Sequence, residues 1–263
     1  MNYAFEINKL GSSKFPLTYH YNNFGYYHSL NIAALSLSEI SDLILKYSFQ
    51  NLLIFGVSHY ILKNKSEFYT ISEIADMNEV KYSKYDNENI AINKNELNKL
   101  IDFAHYNFKI FDIKKIPNEL EYIELIDKIE EQKYEIVERN INDSNLWIDI
   151  HDDCYLYVES KFYELINEII LRAIETLIKS NIKNNIDEIK YSETVYNFLK
   201  GNSEVTIFNE YKNNNGTILF PIINKSFPWS GKQNKNKIYT ENEVKNYLEY
   251  DIDKKETNII YRA

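Results

Sequence analysis

The hydrophobic period of this chain changes abruptly between Leu146 and Ile178. From Leu146 to Ile150, and again from Tyr155 to Val158, apolar residues alternate with others at the two-residue repeat of a half-buried strand. Directly afterwards Phe162, Leu165, Ile166, Ile169, Ala173 and Leu177 recur at a helical period, and Ile170, Ile174 and Ile178 widen the apolar arc. An arc that wide implies neighbours on more than one side. A chain holding both periods side by side is neither all helix nor all strand. The fold class it predicts is α+β: antiparallel β-hairpins interspersed with five or six helices, and a mixed sheet packed by those helices.

The remaining segments fill in that expectation. Tyr3, Phe5 and Ile7 alternate as a strand. Ser36 and Glu39 fit a capping box ahead of a helix striped by Leu37, Ile40, Ile44 and Tyr47 and widened by Leu43. Leu52 to Val57 reads as a buried strand, and Phe68–Ile71 and Ile90–Ile92 as weaker ones. Asn93 and Glu96 open a second helix carrying Leu97, Leu100, Ile101, Ala104 and Phe108. Lys109–Ile113 is a further strand, and Pro117 suits the first turn of a third helix reaching about Glu131. A short helix from Glu193 to Lys200 stops at Gly201. Val205–Phe208 and Thr217–Ile223 form a second hairpin across Asn213–Gly216. Thr240 and Glu243 cap a last helix whose Val244, Tyr247 and Leu248 face inward, before a closing strand at Thr257–Tyr261. We read residues 1–263 as a single α+β domain, with polar residues gathered over 140–144, where a sub-boundary would fall.

Composition narrows the function classes. The 263 residues are 44% hydrophobic and 26% charged, with only 6 Gly and 4 Pro, so a core is expected without staples and a Gly-rich array is not. Cys154 is the single cysteine, and the first ten residues lack a basic stretch followed by an apolar run; a reducing, cytoplasmic setting is the expectation. The most apolar helix is interrupted by Glu164, Glu168, Arg172 and Glu175, too many charges for a bilayer span. Formal charge is −9, from 39 acidic against 30 basic residues, and Arg occurs only at 139, 172 and 262. Such a chain repels phosphate backbones and lacks their preferred bidentate ligand, which disfavours nucleic acid and favours a basic protein partner.

The chemically richest cluster is the first hairpin. With Asp152 and Asp153 as its two turn residues, His151 would sit opposite Cys154, with Asp149 and Trp147 on the same strand face. Thiol, imidazole and carboxylate in that order could generate a thiolate nucleophile. A turn explains the same residues without chemistry, since Asp favours turns and Cys packs as a small hydrophobe beside Leu156 and Val158. No histidine pair has zincin spacing, no second cysteine completes a zinc site, and neither a Walker sequence nor a G-x-G-x-x-G is present. No cofactor or metal is expected. The loop Asn224–Lys237 carries Lys225, Lys232, Lys235 and Lys237 with Phe227 and Trp229, an aromatic and cationic stretch able to anchor a protein.

Together these features point to a non-catalytic protein-binding factor of inhibitor or immunity type, masking a basic partner such as a toxin. Phe227, Trp229, Asp152 and Asp153 are the candidate binding residues. The alternatives are a hydrolase-type enzyme built on His151, Cys154 and Asp149, or a viral or phage structural or assembly protein. An abundance of tyrosine, 23 residues, agrees with a binding surface.

Overall fold

The computed structural model of the protein describes residues 17–22, 27–32, 37–56, 60–62, 68–101, 104–105, 108–124, 145–151, 155–182, 186, 188–202, 204–208, 212–224 and 244–261. The first elements are strands β1 (Leu17–Asn22) and β2 (Tyr27–Ile32), helix α1 (Leu37–Tyr47), and strands β3 (Asn51–Gly56), β4 (Tyr60–Leu62) and β5 (Phe68–Tyr69). Helix α2 (Ile71–Met77), strands β6 (Tyr82–Lys84) and β7 (Asn89–Asn93), helix α3 (Leu97–Ile101), and strands β8 (Ala104–His105) and β9 (Phe108–Ile113) follow. Residues 119–124 are helical. Then come β10 (Leu146–His151), β11 (Tyr155–Ser160), helix α4 (Tyr163–Asn181), β12 (Lys190–Tyr191) and helix α5 (Glu193–Gly201). Strands β13 (Glu204–Ile207), β14 (Lys212–Asn214), β15 (Thr217–Ile223), β16 (Asn246–Asp251) and β17 (Glu256–Tyr261) complete the described chain. Helices and mostly antiparallel sheets together make an α+β fold. The chain divides into two compact units, one of Asn22–Ser29 and Ser36–Ile169, the other of Met1–Tyr21, Leu30–Leu35 and Ile170–Ala263.

In the first of these units the strands run β11-β10-β9-β3-β7-β6, each neighbouring pair antiparallel. Registers align Val158, Ile148, Ile110, Ile54 and Ile90 in one cross-strand row, and every one of them is fully buried. β-branched side chains suit such a pleated, packed face. The opposite face aligns Trp147, Phe111, Leu53 and Ala91. Burial on both faces explains why β3 reads as an unbroken apolar run rather than an alternation. Helix α1 buries Leu37, Ile40, Leu43 and Ile44, the expected stripe, and packs on α3. Its C-terminus is capped from a distance: the Lys94 ammonium donates to the Leu45 carbonyl at 2.6 Å and the Ser48 carbonyl at 3.2 Å.

Two segments here depart from expectation. Phe68–Ile71 is a strand only at Phe68–Tyr69, because Thr70 starts α2: its hydroxyl accepts from the Glu73 N–H at 3.3 Å, and the Glu73 carboxylate accepts from the Thr70 N–H at 2.8 Å. That backbone bond, ahead of one from the Thr70 hydroxyl, lowers the Glu73 pKa. The second helix ends at Ile101, and Ala104 and Phe108 belong to β8 and β9. A sheet-bound partner strand outcompetes continuation of the helical stripe there.

In the other unit the strands run β12-β17-β16-β15-β13-β1, and only β12–β17 is parallel. The second hairpin is tighter than expected. β14 and β15 meet at Asn214↔Thr217, leaving Asn215 and Gly216 with φ of 46° and 91° as a two-residue turn. β13 pairs with β15 only further along, at Thr206↔Ile223 and Ile207↔Ile222. Between those two pairings stands Pro221, whose carbonyl accepts from the Phe208 N–H at 2.9 Å and whose ring has no N–H to offer. The interruption in the ladder falls at the residue that cannot complete it.

The helix expected after Thr240 is replaced over its second half by β16, which pairs along its whole length with β15 and β17. Asn246, Tyr247, Leu248 and Tyr250 are all buried, a strand enclosed on both faces rather than a helical stripe. Long-range pairing overrides the local capping signal. Residues 240–243 lie outside the described residues, as do Tyr3–Ile7, the 140–144 stretch and the third helix beyond 124. Helix α5 starts at Glu193 as expected but runs one residue further, through Gly201, which is not a left-handed cap. The side-chain amide of Asn202 donates to the Phe198 carbonyl at 2.7 Å and satisfies the helix end instead.

Candidate functional site

The hairpin that concentrates the sequence candidates is present with a different register. Leu146 pairs with Ser160 and His151 with Tyr155, so three residues, Asp152, Asp153 and Cys154, join the strands. The strand partner of His151 is therefore Tyr155 and not Cys154. A three-residue connection replaces the expected two-residue turn, and the thiol–imidazole opposition inferred from that turn does not arise from strand pairing. Asp149 stands between Lys109 on β9 and Tyr157 on β11. Asp152, Asp153, Cys154, Phe227 and Trp229 lie outside the described residues.

Trp147, two positions before Asp149, shares its sheet face with an aromatic group. Its ring stacks on Phe111 at 5.5 Å and 9° between planes, and Phe55 meets Phe111 edge-on at 5.2 Å. The Lys109 ammonium lies 5.8 Å from the Trp147 ring centroid. These contacts, with Phe55 and Phe111 buried, are those of a packed second core.

The same core anchors a more exposed feature. Tyr122 is buried and stacks on Tyr85 with centroids 4.0 Å apart and planes 3° apart. Tyr122 donates to the Asp86 carboxylate at 3.1 Å, and Tyr85 donates to the Pro117 carbonyl at 2.6 Å. Burial first, then the nearby Glu121 carboxylate, pushes the Tyr85 pKa up to about 12. Burial and the Asp86 carboxylate raise that of Tyr122 as well. The helical segment starts at Asn118, whose side chain accepts from the Glu121 N–H at 3.0 Å while Glu121 accepts from the Asn118 N–H at 2.8 Å. Lys115 closes an ion pair on Glu121 at 3.1 Å.

With Tyr122 facing inward, the helical spacing of about 100° per residue orders the outward arc as Glu119, Ile123, Leu120, Glu124. Leu120 is 75% and Ile123 49% exposed, and Glu119 and Glu124 are exposed beside them. An apolar pair bracketed by carboxylates is thus held on a capped, aromatically anchored support. Sequence reading placed a helix here without showing which face is buried. The sequence signal was Pro117, which stands just ahead of the Asn118 cap rather than in the helix's first turn, and only the Tyr85 stack fixes the rotation.

Among the described residues no group of three or more His, Cys, Asp or Glu could hold a metal ion, and no helix is long and apolar enough to cross a membrane. Compared with known proteins, the chain matches no protein-family model, no curated protein and no solved structure.

Proposed function

We propose that this protein is a non-catalytic binding factor that takes a basic protein partner on an acidic surface, in the manner of an inhibitor or immunity-type protein masking a toxin. The observation that carries the reading is the excess of 39 acidic over 30 basic residues in one chain. Unpaired carboxylates are too costly to bury, so the excess stands in solvent, and exposed carboxylates on α2 and on the 119–124 segment agree with this. A field of that sign accelerates encounter with cationic surfaces and repels nucleic acid. Captured proteins from the native cell, retained on the immobilised chain and eluted in a salt series, test the proposal. A basic protein released at moderate salt supports it; a retained set that is acidic, or that salt does not release, defeats it.

A further inference from the structure

Resting on that reading, we infer that the docking surface for the basic partner is the outward arc of residues 119–124, and that its occupant is a cationic segment carrying apolar side chains of its own. Three observations converge on this arc. Leu120 and Ile123 are large apolar side chains left in water on a segment whose inner side is otherwise well anchored. Glu119 and Glu124 flank them on either side, so a ligand that covers the apolar pair brings its neighbouring charges against carboxylates. Among the described residues, the neighbouring cation Lys115 is already committed to Glu121, and Lys114 lies over the Phe49 ring, 5.6 Å from its centroid.

The geometry also suits recognition. An apolar anchor ringed by charge is the arrangement in which covering the centre supplies affinity and the rim sets partner sign and encounter rate. An acidic partner would be repelled at both flanks, and a purely polar cation would leave Leu120 and Ile123 exposed. The support is pre-organised, because the Asn118–Glu121 box and the Tyr122–Tyr85 stack fix the segment before any ligand arrives.

Three fluorescein-labelled helical peptides test the assignment against the full chain by anisotropy. The first alternates Leu with Lys on an amphipathic pattern, the second has Glu for every Lys, and the third has Ser for every Leu. The Leu–Lys peptide is expected to bind, and the other two to bind at least roughly tenfold more weakly. The double variant Leu120→Ser/Ile123→Ser should weaken the first peptide by a similar factor. Glu119→Gln/Glu124→Gln should weaken it and flatten its salt dependence. Both pairs are exposed, so the Tyr122 anchor and the fold are retained, which circular dichroism checks. A control, Glu188→Gln/Glu193→Gln on the other unit, should leave binding unchanged. If the Leu–Lys peptide binds but ignores the Leu120/Ile123 variant, this surface is wrong while the acidic-binding reading stands. If the Leu–Glu peptide binds as well as the Leu–Lys one, or neither binds, the acidic-binding reading falls and this surface with it.

Discussion

Replacing Asp112 should be among the most damaging single changes to the unit that carries this surface. Asp112 sits on β9 beside Leu52 with no solvent exposure. Its Oδ1 accepts from the Asn145 N–H at 2.7 Å and the Leu146 N–H at 2.8 Å, and its Oδ2 from the Phe49 N–H at 3.2 Å. One carboxylate thereby ties the approach to β3 and the start of β10 to the strand between them. Hydrogen bonds to a charged acceptor contribute roughly 1.5–3 kcal/mol each, and a buried N–H left without a partner costs about 1–3 kcal/mol. Phe49 and Asn145 are half-buried, so water can compensate part of their loss, whereas Leu146 is buried. Asp112→Ala should therefore cost about 3–5 kcal/mol, the sum of one orphaned N–H, two partly rehydrated ones and a small void. Asp112→Asn keeps an oxygen for Asn145 and Leu146 but turns an amide toward the Phe49 N–H, and should cost about 1–2 kcal/mol. Urea denaturation of the three proteins measures both, and amide exchange should show Phe49 and Leu146 losing protection first. Asp112→Ala within about 0.5 kcal/mol of the parent, where changes away from such features usually lie, would refute the clamp.

Other consequences are smaller and local. Lys94→Met removes the ammonium that donates both hydrogen bonds at the end of α1 and should cost about 1–2 kcal/mol, read as a lowered urea midpoint at unchanged slope. Gly216→Ala meets no neighbour within 4 Å, yet its φ of 91° should cost about 1 kcal/mol in the same assay. Tyr85 holds its proton more tightly folded, with a pKa of about 12, than unfolded at 10.0, so the folded state binds more protons in that window and stability falls as pH rises from 10 toward 12. Tyr85→Phe should flatten that slope in alkaline melts and remove one late step from the phenolate absorbance titration.

The parts of the fold legible in sequence are those where local pattern and long-range pairing agree. The stripe Leu37, Ile40, Leu43, Ile44 can only be buried as a helix face, and α1 follows it. Thr240–Glu243 and the inward spacing of Val244, Tyr247 and Leu248 fit a helix just as well, and nothing local reveals that β15 and β17 stand ready on both sides of Asn246–Asp251. The turn length at the first hairpin was not legible, because alternation fixes which face a side chain takes but not the register between strands: His151 pairs with Tyr155, and Cys154 lies outside the described residues. Asp112 was hidden within an apolar run, where a carboxylate looks like an interruption until its three backbone donors are seen. The exposed pair Leu120 and Ile123 was equally hidden, since only the stack of Tyr122 on Tyr85 decides which side of that segment turns outward.

Association kinetics with the basic protein recovered from its native cell would test the central claim most directly. Long-range attraction acts before contact and is screened over about 8 Å at physiological ionic strength. Stopped-flow rates across a low-to-moderate salt series should show association slowing steeply while dissociation barely changes, the pattern of steered encounter. An association rate that stays flat across the series would contradict the claim that the acidic surface selects the partner.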